Sequence, residues 1–241
     1  MAIGPERKYM TAAQAGVAEI DVGLRQYMLR VYNYMALGVA FTGIVALAVA
    51  LNPALMQAVA LGPFKYVLFF GVIGMGFFAP RLMLGGSVAV AHAAFWLYAA
   101  AWGALLAPMF YIYTGDSLIR VFFITAGAFA GLSLYGYTTK RDLSPIGSFL
   151  VMATWGILLA VLVNAFLLHS VGFHYVLSVV VVLVFAGLTA YETQMIKSAY
   201  REGDYTDTAT RKAIFGAYLL YGSFVTLFVW LLQLLGVARS N

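Results

Sequence analysis

This sequence predicts an all-α integral membrane protein with seven transmembrane helices, on three grounds. Of its 241 residues, 63% are hydrophobic and 10% are charged. A soluble domain carries roughly 25% charged residues, so this chain has too few polar groups to cover its own surface. Seven apolar stretches approach or exceed the twenty or so residues that a helix, rising 1.5 Å per residue, needs to cross a hydrocarbon layer of about 30 Å. Those stretches are spread along nearly the whole chain, which argues for one membrane-embedded unit.

Taken in order, residues 1–30 read as a cytoplasmic, partly helical lead-in. Arg7 and Lys8 look like the basic start of a cleavable signal, but Glu19 and Asp21 stand where its apolar core should be. The membrane domain then runs from 31 to 238. Its first span, 31–51, stops at "NPALMQAVALGP" (52–63), which holds two prolines. The second, 64–80, is the shortest and is read as ending at Pro80, where "APRLMLGG" (79–86) begins to turn. The third, 86–107, runs into "PMFYIYTGD" (108–116), whose aromatic residues suit the headgroup belt. The fourth, 118–138, leads to "TTKRDLSPIG" (138–147), a basic cluster followed by Ser144 and Pro145. Proline in the first turn is a helix-start signature. The fifth and sixth spans are 147–168 and 173–196. After them "REGDYTDTATRK" (201–212) is the one long hydrophilic loop, and 213–236 is the seventh span. Residues 239–241 are a short tail.

An odd number of spans puts the two ends on opposite sides. Arg7, Lys8, Arg25, Arg30, Arg81, Lys140, Arg141, Lys197, Arg201, Arg211 and Lys212 then share one side, and only Lys65, Arg120 and Arg239 fall on the other. Loops rich in Lys and Arg stay in the cytoplasm, so the N-terminus is expected inside and the C-terminus outside. The net charge of +5 has the same source and does not call for a nucleic acid partner.

Few polar side chains fall inside the spans, and intramembrane charge is costly enough that each deserves a reason. Glu192, near the end of the sixth span, is the only acid within any of them. It has two readings: an interfacial residue paired with Lys197, Lys140 or Arg141, or the working group of an ion pathway. His92 and Asn164 read as bundle-interior groups that hydrogen-bond between helices, while His169 and His174 fall at the outer interface. Ser223 and Thr226 lie in the middle of the seventh span.

What is missing argues against an enzyme. A retinal protein needs a lysine in its last helix, and none occurs between Ala213 and Gly236. Paired intramembrane acids for an aspartyl protease are absent. "GGSVAVAH" (85–92) brings Ser87 and His92 into one segment without the Gly-x-Ser-Gly setting of a rhomboid-like protease. With no cysteine, disulfides, iron–sulfur clusters and thiol chemistry are excluded. The three histidines lie in different segments and at different depths, which gives no zinc site. No cofactor is expected.

Four stretches carry a resemblance. They are "DVGLRQYMLRVYNYMALGVAFTG" (21–43), "KRDLSPIGSFL" (140–150), "AGLTAYETQMIK" (186–197) and "AYLLYGSFVTLFVWLLQLLG" (217–236). Together, in order and at matching spacing, they resemble the bacterial branch of the transmembrane Bax inhibitor motif, or Bax inhibitor-1, family. The resemblance implies a multi-pass protein of the bacterial inner membrane whose sixth helix is central. It also implies a pH-sensitive leak for cations, calcium above all, gated by facing acids on helices six and seven and latched by an arginine on helix two. Carried across, Glu192 takes the first acid's place and Arg81 the latch. The second acid is replaced by Ser223, and the usual helix-seven asparagine by Thr226.

Two carboxylates in contact share a proton and titrate as a pair. Calcium also prefers several oxygen ligands with more than one negative charge. A lone Glu192 is therefore expected to give a weak calcium contact and a blunted or shifted pH response. The other reading is a membrane interaction protein without transport of its own, a regulator, chaperone or accessory subunit of a membrane protease or bioenergetic complex. It would dock a membrane-protein partner through 1–30 and 201–212, with the lipid bilayer as its other neighbour.

Overall fold

The computed structural model describes residues 12–60 and 62–239; the first eleven residues of the lead-in, with Arg7 and Lys8, and the last two of the tail lie outside them. The described chain is helical: α1 (Ala12–Ala50), α2 (Pro53–Ala60), α3 (Phe64–Gly85), α4 (Val88–Leu106), α5 (Met109–Ile112), α6 (Gly115–Thr138), α7 (Ser144–Val163), α8 (Val171–Ser198) and α9 (Thr206–Leu235). A π-helical turn, Asn164–Leu168, ends the fifth span. Seven of these units are long and apolar enough to cross a membrane: Val22–Ala50, Phe64–Gly85, Val88–Ile112, Gly115–Thr138, Ser144–Leu168, Val171–Ser198 and Thr206–Leu235. Large apolar side chains such as Phe77, Leu97, Phe123, Leu159 and Leu183 are exposed around the outside, where lipid rather than water is their solvent.

Four boundaries differ from the sequence reading, one of them the start of the seventh span, expected at 213 and found at Thr206. The first span is continuous with the described part of the lead-in, because no proline interrupts Ala12–Ala50; Arg25 and Arg30 lie on this helix. The proline-bearing break after it contains the short helix α2, whose first backbone N–H groups, those of Ala54 and Leu55, donate to Asn52 Oδ1 at 3.1 and 3.2 Å. Pro80 lies inside α3 and does not end it. A proline ring is crowded by the carbonyl four residues back, and that residue is Gly76, with no side chain to add to the crowding.

The most enclosed helix is the seventh span, α9, where the sixth was expected. Of the residues in its most apolar stretch 56% are buried, against 22% in α8. α9 packs against α1, α3, α4, α6 and α8, whereas α8 is flanked chiefly by α6, α7 and α9. Sequence explains the difference. α9 buries Ala217, Tyr221 and Val225 on one side and Gly216, Ser223 and Leu227 on another, a mixture of small and large residues that covers more than half of its circumference. α8 buries chiefly one face, with Leu188, Thr189, Glu192, Thr193 and Ile196 at helical spacing.

Close approach of α8 to its neighbours depends on glycine. A Cβ at Gly136 on α6 would be driven into the backbone carbonyl of Ala190, and one at Gly147 on α7 into the ring of Tyr191. Small residues at such crossings let membrane helices pack backbone to backbone. The loop between α6 and α7 is held by Asp142, whose Oδ1 accepts from the Ser144 backbone N–H at 2.9 Å. That bond and the Ser144 hydroxyl hold the Asp142 carboxyl below its ordinary range.

Replacing Gly136 by Ala should lower the stability of the detergent-solubilised protein by about 1–3 kcal/mol, the usual cost of overpacking. Gly131→Ala, where a Cβ meets open space, should leave the melting curve where it was. Equal melting of the two variants would contradict the packing.

Candidate functional site

Glu192 lies six residues before the end of α8, about 9 Å along the axis, yet it is 7% exposed. Its Oε2 accepts a hydrogen bond from Ser223 Oγ on α9 at 2.7 Å. Ser223 is 2% exposed, so the contact is shielded on both sides. Thr226, half-buried, follows one turn further along α9. Two tyrosines lie near the carboxyl, Tyr98 and Tyr218, their rings 4.7 Å apart, and Tyr221 packs on Tyr98 at 5.7 Å. Tyr221 in turn shares a 2.6 Å hydrogen bond with Thr42, which donates to the Ala99 carbonyl. Next to Glu192 on α8, toward α6 and α1, Tyr32, Ser133 and Thr193 form a hydroxyl chain with links of 2.6 and 2.9 Å, and Thr193 closes it on the Thr189 carbonyl. Hydroxyls that bond back to their own helix are satisfied without water.

Among the described residues the only ion pair is Lys212–Asp204, at 2.6 Å. None of those residues pairs a cation with Glu192. Nor, among those residues, do three His, Asp or Glu side chains converge on one point. What the site offers is one carboxyl, a hydroxyl and the surrounding aromatic hydroxyls.

The arrangement can be compared with known proteins. A family model described as inhibitor of apoptosis-promoting Bax1 matches residues 24–240. The chain belongs to the Bax inhibitor-1 family. The inner membrane protein YbhL of Escherichia coli K12 is 39% identical over 226 residues, covering 92% of this chain and 96% of its own. A protein of Caulobacter vibrioides is 38% identical over 232 residues, 92% of each chain. One of Rickettsia prowazekii is 37% identical over 220 residues, 91% of this chain and 93% of its own. The seven apolar helices fit a multi-pass inner membrane protein, the description that YbhL carries.

Within the Bax inhibitor-1 family frame, the structure brings Glu192 and Ser223 together and leaves Arg81 apart. Arg81 is exposed on α3, beside Gly74, Phe78 and Gly85. The inward residues of that stretch are Ala79 and Met83, and Arg81, two positions from each, is rotated about 200° from both at 3.6 residues per turn. The latch to Glu192 is therefore not formed. Interfacial pairing with Lys197 is not formed either. Lys197 donates to the Tyr137 carbonyl at 2.8 Å and lies 4.9 Å from that ring's centre. Lys140 and Arg141 are exposed on the loop.

Asn164 does not bond between helices. Its Oδ1 accepts from the Ser170 backbone N–H at 3.1 Å, and its carbonyl from that of His169 at 2.8 Å, so it closes the turn into α8. His92 is half-buried with its ring edge-on to Tyr34, 5.4 Å between centres. His174 is half-buried, bonded to Gln233 at 2.8 Å.

Two residues that the sequence reading passed over hold the site's frame. Gln194 donates to the Arg141 carbonyl and accepts from the Leu143 N–H, both at 2.8 Å, fixing α8 to the loop before α7. Arg211 at the start of α9 donates from Nη1 to the carbonyls of Leu84 and Gly86 at 2.8 Å, where the end of α3 leaves acceptors unfilled. The sequence signal for both was position alone, a long polar side chain near a span's end beside a short connection. The 201–212 stretch, read as a loop, is helical from Thr206 on, and it is likewise bound inward, since Lys212 donates to Ala199 and Asp204.

Ser223→Ala should destabilise the protein by about 1–3 kcal/mol, because it strands a buried acceptor. Ser148→Ala, at an exposed hydroxyl, should stay within about 0.5 kcal/mol. Thermal unfolding in one detergent reads both, and equal small shifts would mean that the Ser223 contact contributes nothing.

Proposed function

We propose that this protein is a cation leak of the bacterial inner membrane, with the N-terminus in the cytoplasm, calcium as the transported ion and Glu192 as the titrating gate. The observation that carries the reading is the buried 2.7 Å contact between Glu192 and Ser223, on the two helices α8 and α9. While protonated, the carboxyl can rest in its apolar surroundings with its hydrogen bond made. Once ionised, it is an anion without a paired cation, a state that demands solvation. Water and an incoming cation supply it, and admitting them parts α8 from α9. Ser223 and Thr226 line the path that this opens. No cofactor and no catalysed reaction enters the proposal, and Arg81 acts in it only as a cytoplasm-facing charge.

One carboxylate gives a cation less charge than the pair that the family resemblance implies. Calcium entry is therefore expected to be weak and its pH dependence that of a single group. Restoring an acid by Ser223→Asp would create a coupled pair that titrates in two steps.

In dye-loaded proteoliposomes across a pH series, the wild type should admit calcium in a pH-dependent way. Glu192→Gln, which cannot ionise, should show low flux with no pH dependence, and Ser223→Asp should bind calcium more strongly and broaden the response. Equal, negligible flux in all three would remove the channel reading and leave a protein that acts by binding a membrane partner.

A further inference from the structure

Between α1 and α6 the bundle does not close. A cavity of about 890 Å³ opens there, with Met35 and Val39 of α1 on one wall, Ala126 and Ala130 of α6 on the other and Phe224 of α9 at its floor. Residue size makes the gap. Ala126 and Ala130, one turn apart, present only methyl groups, while the ring of Phe129 between them packs against Phe224 at the floor, 5.6 Å between centres. The volume falls within the roughly 300–1,000 Å³ of ligand pockets.

The shape and chemistry of the cavity select its occupant. Along α1 it reaches from Arg25 to Gly43, about 27 Å at 1.5 Å per residue, close to the thickness of the hydrocarbon layer. Of the three hydroxyls that line it, Tyr32 and Ser133 are already bonded to each other, and Ser133 to Thr193, while that of Tyr137 stands at the cavity's end. A polar guest would find its partners taken, whereas a hydrocarbon chain gives up no hydrogen bond on entering. At the end nearer the N-terminus stand Tyr137 and the exposed Arg25, at the depth of headgroups. A guanidinium there presents a planar fork suited to phosphate oxygens.

We infer that this slot is a binding site for one anionic phospholipid, an acyl chain lying along Ala126 and Ala130 and the phosphate group against Arg25. The chain fills space that α1 and α6 cannot fill for each other. The charge on Arg25 then favours phosphatidylglycerol, which is anionic, over phosphatidylethanolamine, whose ammonium group offsets its phosphate. The site is independent of the leak reading, because it requires no movement of α8 or α9.

Native mass spectrometry of the full-length protein, purified in detergent and offered equal amounts of phosphatidylglycerol, phosphatidylethanolamine and free palmitate, tests this. The wild type should retain one phosphatidylglycerol in about tenfold preference, the worth of one charge-assisted hydrogen bond. Arg25→Gln should keep one phospholipid and lose the preference. Ala130→Phe, whose ring projects into the gap, should lose the lipid whatever its headgroup. The inference is overturned if the wild type holds both phospholipids equally, or palmitate in their place. It is also overturned if the preference survives in Arg25→Gln, or if folded Ala130→Phe retains the lipid as the wild type does.

Discussion

A carboxylic acid buried among apolar helices has to be answered by a cation, by a hydrogen-bond donor or by water, and here it is answered by a single serine. Glu192 is nearly excluded from solvent, and Ser223 Oγ donates to it. The molecule has basic residues enough to form an ion pair, but those that border α8 and α9 are bonded elsewhere or face outward. Lys197 binds the α6 carbonyl of Tyr137, and Arg211 the carbonyls that end α3. Arg81 faces outward. Using cations as clamps on helix ends leaves the acid without a counter-charge, and that is the constraint on which the functional reading depends.

The enclosure of α9 follows from the same region. Its face toward α8 carries Gly216, where a Cβ would press on the Ile196 side chain, and Ser223, so the two helices approach closely enough for a short hydroxyl to reach the carboxyl. Gly136 on α6 and Gly147 on α7 bring their helices equally close to α8 from other directions. Hydroxyl chains through Tyr32, Ser133 and Thr193, and through Tyr221 and Thr42, satisfy polar groups between helices without water. An apolar bundle with these hydroxyls already paired is a poor host for charge, which is why the proposed ionisation of Glu192 is coupled to rearrangement at the α8–α9 contact.

Much of this could be read from sequence because the bilayer imposes a length and a composition on each span. All seven spans appear in their expected places, and their turns lie where prolines, glycines and charges cluster. The errors came where the signal was local but the outcome was tertiary. Pro80 reads as a helix end, yet α3 runs through it, since the membrane offers the freed carbonyl no better alternative than helix. Glu192 read by depth alone is an interfacial residue; only the packing of α9 over it makes it buried. Arg81 occupied the right stretch of sequence for a latch, but its rotation about α3 relative to Ala79 and Met83 sends it to the outside. Asn164 looked like a link between helices and instead closes a turn, because the π-helical end of the fifth span directs its amide along the chain. Which helix is most enclosed depends on all pairs of faces at once, and no single segment records it.

The central claim is that Glu192, bonded to Ser223, changes protonation as the path opens. Infrared difference spectroscopy of the reconstituted protein across a pH series reads this at the carboxyl itself. A protonated-carboxyl band should be present in the wild type, absent in Glu192→Gln and shifted in Ser223→Ala, and it should disappear over the same pH interval in which calcium flux changes. A band that titrates in a different interval from the flux, or no band assignable to Glu192 at any pH, would contradict the account.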